Sequence, residues 1–326
     1  MCFLCCDLLF RELPTKVSNL FIFGNSHLRF VYISSFFYTF AHDMNTLRQL
    51  PYTLNIGGRL TTLECPMVMG ILNVTTESFY EASQVHTEVA IAERAQAIVN
   101  EGGSIIDVGA CSTRPGQAPI SEEEEMRRLA SALPVIRAAV PDAILSVDTF
   151  RASVAEYCVK EQGVHIINDI SGGKMDSRMY DTVAGLNVPY ILTHNGNGVW
   201  KDMMYDLADR IGRLHLMGVN DVIVDPGFGF GKTLDENYRL MAHLEELHLL
   251  GCPLLVGVSR KSMIYKHLDC TPAEALNGTT VLHTAALMKG AHILRVHDVK
   301  AAIEAVAITE KLKNLSDISE KPTHNS

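Results

Sequence analysis

From residue 67 onward the chain repeats one unit: a short β-branched run, a polar or glycine-rich tip, then a stretch with helical spacing. The runs are VMGILNV (68–74), SIIDVG (104–109), AILSVDT (143–149), VHIINDIS (164–171), PYILTH (189–194), DVIVDPG (221–227), PLLVGVSR (253–260) and AHILRVH (291–297). Apolar runs of this length suit strands buried on both faces, as in a parallel sheet. Between them, Met175, Met179, Val183 and Leu186 step by four, four and three; Met204, Leu207, Ile211 and Leu214 step by three, four and three. Ser121 followed by Glu124 reads as a capping box, and Thr271-Pro272-Ala273-Glu274 as a cap, a first-turn proline and an answering glutamate. Eight strand–helix alternations predict an α/β fold, a single-domain (β/α)8 TIM barrel over residues 44–315, in preference to an open doubly wound sheet.

Both flanks differ from that domain. Eight of the twelve phenylalanines and three of the eight cysteines lie within residues 1–40, and the composition changes at Met44. Asp7, Arg11, Glu12 and Lys16 interrupt the segment, which has no run long enough to span a bilayer and no clean secretory signal. Residues 1–43 are expected to be an N-terminal extension outside the native domain, disordered or arising from an upstream start codon. A peripheral membrane or partner-binding segment is the rival reading. Residues 316–326 are expected to form a disordered tail. The net charge of −9 argues against nucleic acid or a membrane surface as a partner. The cysteines show neither zinc nor disulfide spacing, which suits a reducing, cytoplasmic setting.

Barrels of this kind carry their chemistry at the C-terminal ends of the strands. Those tips hold Asn73, Asp107, Asp148, Asn168 with Asp169, His194, Asp225, Arg260 with Lys261, and Arg295 with His297. A single polar tip commonly just caps the next helix, and His194 is read as structural. Eight tips converging on one mouth point to a site. Asp148, Asn168 and Arg295 sit inside apolar runs, where an unpaired polar group is costly. Asp148, Asn168, Asp225 and Lys261 offer the acceptors, donors and one cation that suit a flat heterocycle with several ring donors and acceptors. Arg295, His297 and Asn73 offer two potentially cationic groups and a neutral oxygen ligand. That set suits a phosphate or diphosphate with Mg2+, which takes few protein ligands and keeps its waters. The cationic segment Ser112-Thr113-Arg114-Pro115-Gly116 is placed to close over a second, anionic substrate.

Seven blocks, in order, carry a family resemblance: MGILNVTTESF (69–79), IIDVGACSTRPG (105–116), SVDTF (146–150), INDISGG (167–173), DPGFGFGKT (225–233), VGVSRKSM (256–263) and ILRVHDV (293–299). Together they resemble dihydropteroate synthase, the folate-pathway enzyme family that joins p-aminobenzoate to a pterin diphosphate. The resemblance implies that Asp148, Asn168, Asp225 and Lys261 grip the pterin. It implies that Asn73, Arg295 and His297 hold the diphosphate and its Mg2+, with Asn73 as the metal ligand. Thr113, Arg114, Phe230 and Ser262 would contact p-aminobenzoate or its loop, and Phe79 belongs to the first loop of the same site. Lys261, Arg295, His297 and Asp148 would then carry catalysis. A homodimer and sulfonamide targeting are further implications.

Three places depart from the family pattern. The first loop reads Thr75-Thr76-Glu77-Ser78-Phe79, without a stiffening proline. Cys111 stands where a polar Glu or Gln is common, and is read as an inert thiol. After the fifth barrel run, His194-Asn195-Gly196-Asn197-Gly198 replaces a longer connection, so Asp225 arrives early. A non-catalytic pterin-binding paralogue and a folate-dependent methyltransferase domain stay open as alternatives. PGFGFGKT (226–233) also comes within one residue of a phosphate-cradling loop. It is read instead as a substrate wall, with Phe230 at the pocket rim and Lys232 as a rim charge.

Overall fold

The structure, a computed structural model, describes residues 51–74, 84–111 and 119–316. The expectations for residues 1–43, and for the tail beyond Ser316, fall outside them. An antiparallel hairpin comes first, β1 (Thr53–Ile56) and β2 (Arg59–Thr62). Gly57 and Gly58 join its strands with φ of 59° and 80°. Positive φ at both turn residues matches the twist of a tight hairpin and suits glycine. The pattern was readable in the sequence, since Gly-Gly follows the alternating Leu54 and Ile56, yet the hairpin is absent from the sequence expectation.

Strand and helix then alternate as β3 (Met67–Asn73), α1 (Gln84–Asn100), β4 (Ile105–Gly109), α2 (Glu122–Ala139), β5 (Ile144–Asp148), α3 (Ala152–Gln162), β6 (Ile166–Asp169), α4 (Met179–Leu186), β7 (Tyr190–Thr193), α5 (Trp200–Leu216), β8 (Val222–Asp225) and α6 (Leu234–Ala242). A 3-10 turn (Leu244–Leu250), β9 (Leu255–Val256), the short α7 (Ser262–Tyr265), α8 (Leu276–Met288), β10 (Ile293–Val296) and α9 (Val299–Ser316) complete the order. All barrel pairings are parallel, in the order β8-β7-β6-β5-β4-β3-β10-β9. One bridge between Val224 and Leu254 joins β8 to β9 and closes the barrel.

The two-residue strand period sorts side chains between two cores. Met69, Ile105, Ile166, Ile191, Ile223, Leu255 and Ile293 fill the bore and cluster with Leu54, Ile56 and Leu63 from the hairpin segment. The alternate positions, including Val68, Ile106, Val147, Ile167, Leu192 and Leu294, join the larger core shared with the helices. The Asn55 amide donates to Asp221 just before β8, so the hairpin lies over the N-terminal end of the bore. The opposite end is left for the polar tips.

Several local expectations are modified. Ser121 caps α2 by accepting from the Glu124 amide, but the Glu124 carboxylate pairs with Arg127 and Arg128. Thr271 and Glu274 do bond to each other, in a turn that precedes α8, whose first residue is Leu276. Met175 is exposed and lies before α4, while Met179 and Val183 are buried on it. A complete capping box forms instead at Thr233 and Glu236, opening α6.

Candidate active site

Arg295 on β10 is the hub of the mouth. Its Nε donates to Asp107 Oδ2 at 2.6 Å and its Nη2 to Asp148 Oδ2 at 2.8 Å. Asn168 Nδ2 donates to the same Asp107 oxygen at 3.0 Å. The register places Asp148 beside Asn168 and Gly109, and Asp107 beside Ser146. Asp107, Asp148 and Asn168 are all buried. This is how polar residues persist inside apolar runs: each finds a charged or amide partner from another strand. Burial pushes the Asp148 carboxyl up to about 7; Arg295 opposes the shift, and the Asp107, Glu125 and Asp169 carboxylates reinforce it. Asp107 Oδ1, Ser146 Oγ and Thr193 Oγ1 are buried with no partner among the described residues.

Lys261 and Asp225 form the second part. Lys261 Nζ donates to the Phe228 carbonyl at 2.6 Å and stands 4.7 Å from the Phe230 ring centroid. Burial lowers the Lys261 ammonium to about 8, against the pull of Asp225. Asp225 Oδ1 accepts from the Gly227 amide at 2.8 Å. Burial raises this carboxyl, while Lys261 works to lower it. Gly257 lies beside both cations, since a Cβ there would sit 3.7 Å from Arg295 Cβ and 4.0 Å from Lys261 Nζ. Phe230 is half-buried at the rim, as expected.

The third part lies at the ends of β10 and β3. His297 Nδ1 and its backbone N–H both meet Ser259 Oγ, each at 3.2 Å. The ring faces solvent on one side, yet surrounding protein and then the Arg295 cation lower it to about 4. His297, read from the sequence as potentially cationic, is thus biased towards its neutral form in the free protein. Arg94 on α1 donates to the carbonyls of Ile71 and His297, tying the two strand ends together. Asn73 is exposed at the end of β3, and its Oδ1 would lie 3.1 Å from a Cβ on Gly109, next to Asp148.

The structure thus gathers Asp148, Asn168, Asp225, Lys261, Asn73, Arg295 and His297 at one mouth, with Phe230 at its rim. Ser262 opens α7 immediately after Lys261 and is half-buried. Phe79, Thr113 and Arg114 lie outside the described residues. The flanks of the 112–118 segment are held: Arg128 donates to the Ala110 carbonyl at 3.0 Å and Arg151 to the Ile120 carbonyl at 2.5 Å. Cys111 is half-buried with its thiol pushed up, first by burial, in keeping with an inert thiol.

Three tips serve the scaffold. Asp169 accepts from the Ser171 and Gly173 amides and the Tyr190 hydroxyl. Arg260, at φ 53°, forks onto Asp298 and donates to the carbonyls of Pro272 and Ala273. His194 is buried and lowered to about 4 by burial and by Lys232, and it braces the scaffold through its backbone, its amide donating to the Asp225 carbonyl and its carbonyl accepting from Lys232. Lys232 is not a rim charge. Its Nζ donates to three carbonyls, those of His194, Gly227 and Phe230. Sequence reasoning missed Arg94 and Ser259, which carry no local signal, and it placed Asp107 among the polar tips without a role, because its partner Arg295 lies far along the chain.

Residues 69–297 match the family described as pterin binding enzyme. The chain belongs to this family. It is 39% identical over 269 residues to the dihydropteroate synthase of Escherichia coli strain K12, covering 78% of this chain and 94% of that protein. Among solved structures, the Xanthomonas albilineans dihydropteroate synthase with 4-aminobenzoic acid aligns at a TM-score of 0.73 and 35% identity, over 81% of this chain and 98% of that one. A Yersinia pestis dihydropteroate synthase in complex with a sulfonamide drug aligns at 0.71 and 37%, over 81% and 100%. Membership in the pterin-binding family fits a mouth that pairs buried carboxylates and an amide with half-buried cations.

Proposed function

We propose that this enzyme is a transferase that condenses 6-hydroxymethyl-7,8-dihydropterin diphosphate with p-aminobenzoate, giving 7,8-dihydropteroate and diphosphate. The observation that carries the reading is the Arg295 hub. It joins carboxylate and amide groups suited to a pterin edge to the strand ends suited to a diphosphate, so one cation serves both halves of the substrate. Asp148, Asn168, Asp225 and Lys261 take the pterin. The orphaned Asp107 Oδ1, Ser146 Oγ and Thr193 Oγ1 beneath them match a ligand rich in ring donors and acceptors. Arg295 takes the leaving group with His297 and Asn73. Phe230 and Ser262 border the p-aminobenzoate side, with Phe79, Thr113 and Arg114 from the two loops.

The aniline nitrogen attacks the pterin methylene carbon as the carbon–oxygen bond to diphosphate breaks, and the bonding pair leaves on the diphosphate oxygen. Arg295 and His297 stabilise that developing charge, where fixed charge and donors help most. The neutral His297 ring donates a hydrogen bond, and an anion beside it draws its pKa upward. The attacking amine is nucleophilic when neutral, so no general base is required, and its proton leaves afterwards. Mg2+ fits this site as a substrate-borne ion. Among the described residues no cluster of three His, Cys, Asp or Glu side chains could cage a metal, while Asn73 offers one neutral oxygen. Bound there, Mg2+ would neutralise leaving-group charge.

Homodimerisation is the favoured assembly. Packed together, α8 and α9 bear exposed apolar residues on their outer surfaces, among them Val281 at 60% and Ile308 at 62%. Among the described residues no helix is long and apolar enough to cross a membrane, and the cytoplasm is the proposed location. Sulfonamides, as p-aminobenzoate mimics, are proposed inhibitors.

The test supplies the full-length protein with Mg2+, p-aminobenzoate and the pterin diphosphate. Release of diphosphate and formation of dihydropteroate are expected, and Lys261→Ala should lose roughly 100-fold or more in kcat/KM. Pterin binding without diphosphate release would make the chain a non-catalytic paralogue.

A further inference from the structure

We propose that Lys232 is a positioning residue for this reaction, its ammonium tying the end of β7 to the turn after β8 and thereby fixing Asp225, Phe230 and Lys261. The inference rests on the proposed function for what those three groups touch. Lys232 Nζ donates to the carbonyls of His194, Gly227 and Phe230 at 3.1, 3.0 and 3.2 Å. An ammonium has three protons, so all are committed to backbone oxygens. None remains for a phosphate. Thr233 is engaged in the scaffold as well, its hydroxyl accepting from the Glu236 amide in the capping box of α6. The two side chains that a phosphate-cradling loop would aim at its nucleotide are thus both structural here.

The turn needs such a tie. Gly227, Gly229 and Gly231 have φ of 71°, 83° and 64°, a path that glycine permits but does not itself hold. Asn237 secures one side, accepting from the Gly229 amide and donating to the carbonyls of Lys232 and Thr233. Lys232 secures the other side against β7. The short His194–Gly198 connection lies backbone to backbone on the turn: a Cβ on Gly227 would come 2.1 Å from the His194 carbonyl oxygen, and one on Gly231 would come 3.0 Å from that of Gly196. This chain closes the wall by direct backbone contact, with Lys232 bridging the seam.

Three substrate-facing groups depend on the same turn. The Phe228 carbonyl, between two that Lys232 holds, accepts from Lys261. Phe230 lies under the Lys261 ammonium. The Gly227 amide orients Asp225, whose backbone carbonyl accepts from the His194 amide. Loss of the tie would displace pterin and p-aminobenzoate contacts together, and a misplacement of about 1 Å can cost roughly 100-fold in rate.

The experiment compares wild type, Lys232→Met and Lys232→Arg at full length, using diphosphate release and backbone amide hydrogen exchange. Lys232→Met should remain folded by circular dichroism, raise KM for both substrates and lower kcat/KM roughly 30- to 100-fold. Lys232→Arg, which keeps a charged donor, should recover most of that loss. The amides of Gly227, Gly229 and Phe230 should exchange about tenfold faster in Lys232→Met. Unchanged exchange, or wild-type KM values for both substrates, would overturn the proposal. If wild type itself releases no diphosphate, the functional reading fails, while the exchange comparison still decides whether Lys232 holds the turn.

Discussion

The same eight strands line both ends of the barrel bore, with opposite chemistry at each. Toward the N-terminal end, Met69, Ile105, Ile166, Ile191, Ile223, Leu255 and Ile293 meet the hairpin segment in a dry apolar cluster. Two residues further along the strands the inward positions become Ile71, Asp107, Ser146, Asn168, Thr193, Asp225, Gly257 and Arg295, polar or glycine on every strand but β3. The apolar layer gains by leaving water. The charged layer does not: burying ions is costly, and pairing offsets that cost only when the geometry is good and both partners remain. One end of the bore is built for stability. At the other, the fold tolerates strained charge because the strands beneath it are held firmly.

That contrast can be broken most sharply at Arg295. Arg295→Met leaves Asp107 and Asp148 without their shared cation. We expect a loss of roughly 100- to 1000-fold in kcat/KM and of roughly 3–5 kcal/mol in stability at pH 8. The stability loss should be smaller at pH 5, because the Asp148 carboxyl, already raised by burial, takes up a proton more readily once the cation is gone. Urea unfolding at the two pH values tests this; wild-type stability at pH 8 would mean that the hub is not a buried ion pair. The apolar end should respond in the opposite sense. Ile105→Ala is expected to cost roughly 2–5 kcal/mol of stability while leaving kcat/KM within about twofold of wild type. Equal damage to activity would show that the two layers are not separable.

The smallest effect is the most specific. In the free protein His297 should titrate near 4, held down by its surroundings and by Arg295. A histidine lowered in this way adds stability that is present above its unfolded value and is lost as pH falls from about 6.5 towards 4. Imidazole NMR should show that value move upward in Arg295→Met, where the repelling cation is gone. An unmoved titration would place its cause in burial alone.

The parallel barrel was legible because apolar runs and helical spacing are local properties of the chain. Asp148, Asn168 and Arg295 were legible because a polar residue inside an apolar run needs a reason, and Asp225 and Lys261 because they stand at strand tips. Asp107 shared that signal, but its task did not follow from it, since its partner Arg295 lies 188 residues along the chain, on the strand β10 that pairs with the other edge of β3. Arg94 and Ser259 look like ordinary helix and loop residues until β3 and β10 bring the His297 segment to them. Lys232 was misread because the sequence shows its charge and its glycine neighbours, and cannot show that three carbonyls from two strand ends meet there.

By itself, then, the sequence determined where strands run, which side chains alternate into the bore, and at which end chemistry must sit, since those follow from residue type and period. Tertiary structure decided which charges neutralise one another and which merely brace the scaffold. Pairing depends on distance in space, and closing the barrel brings Arg295 to Asp107 across 188 residues of chain.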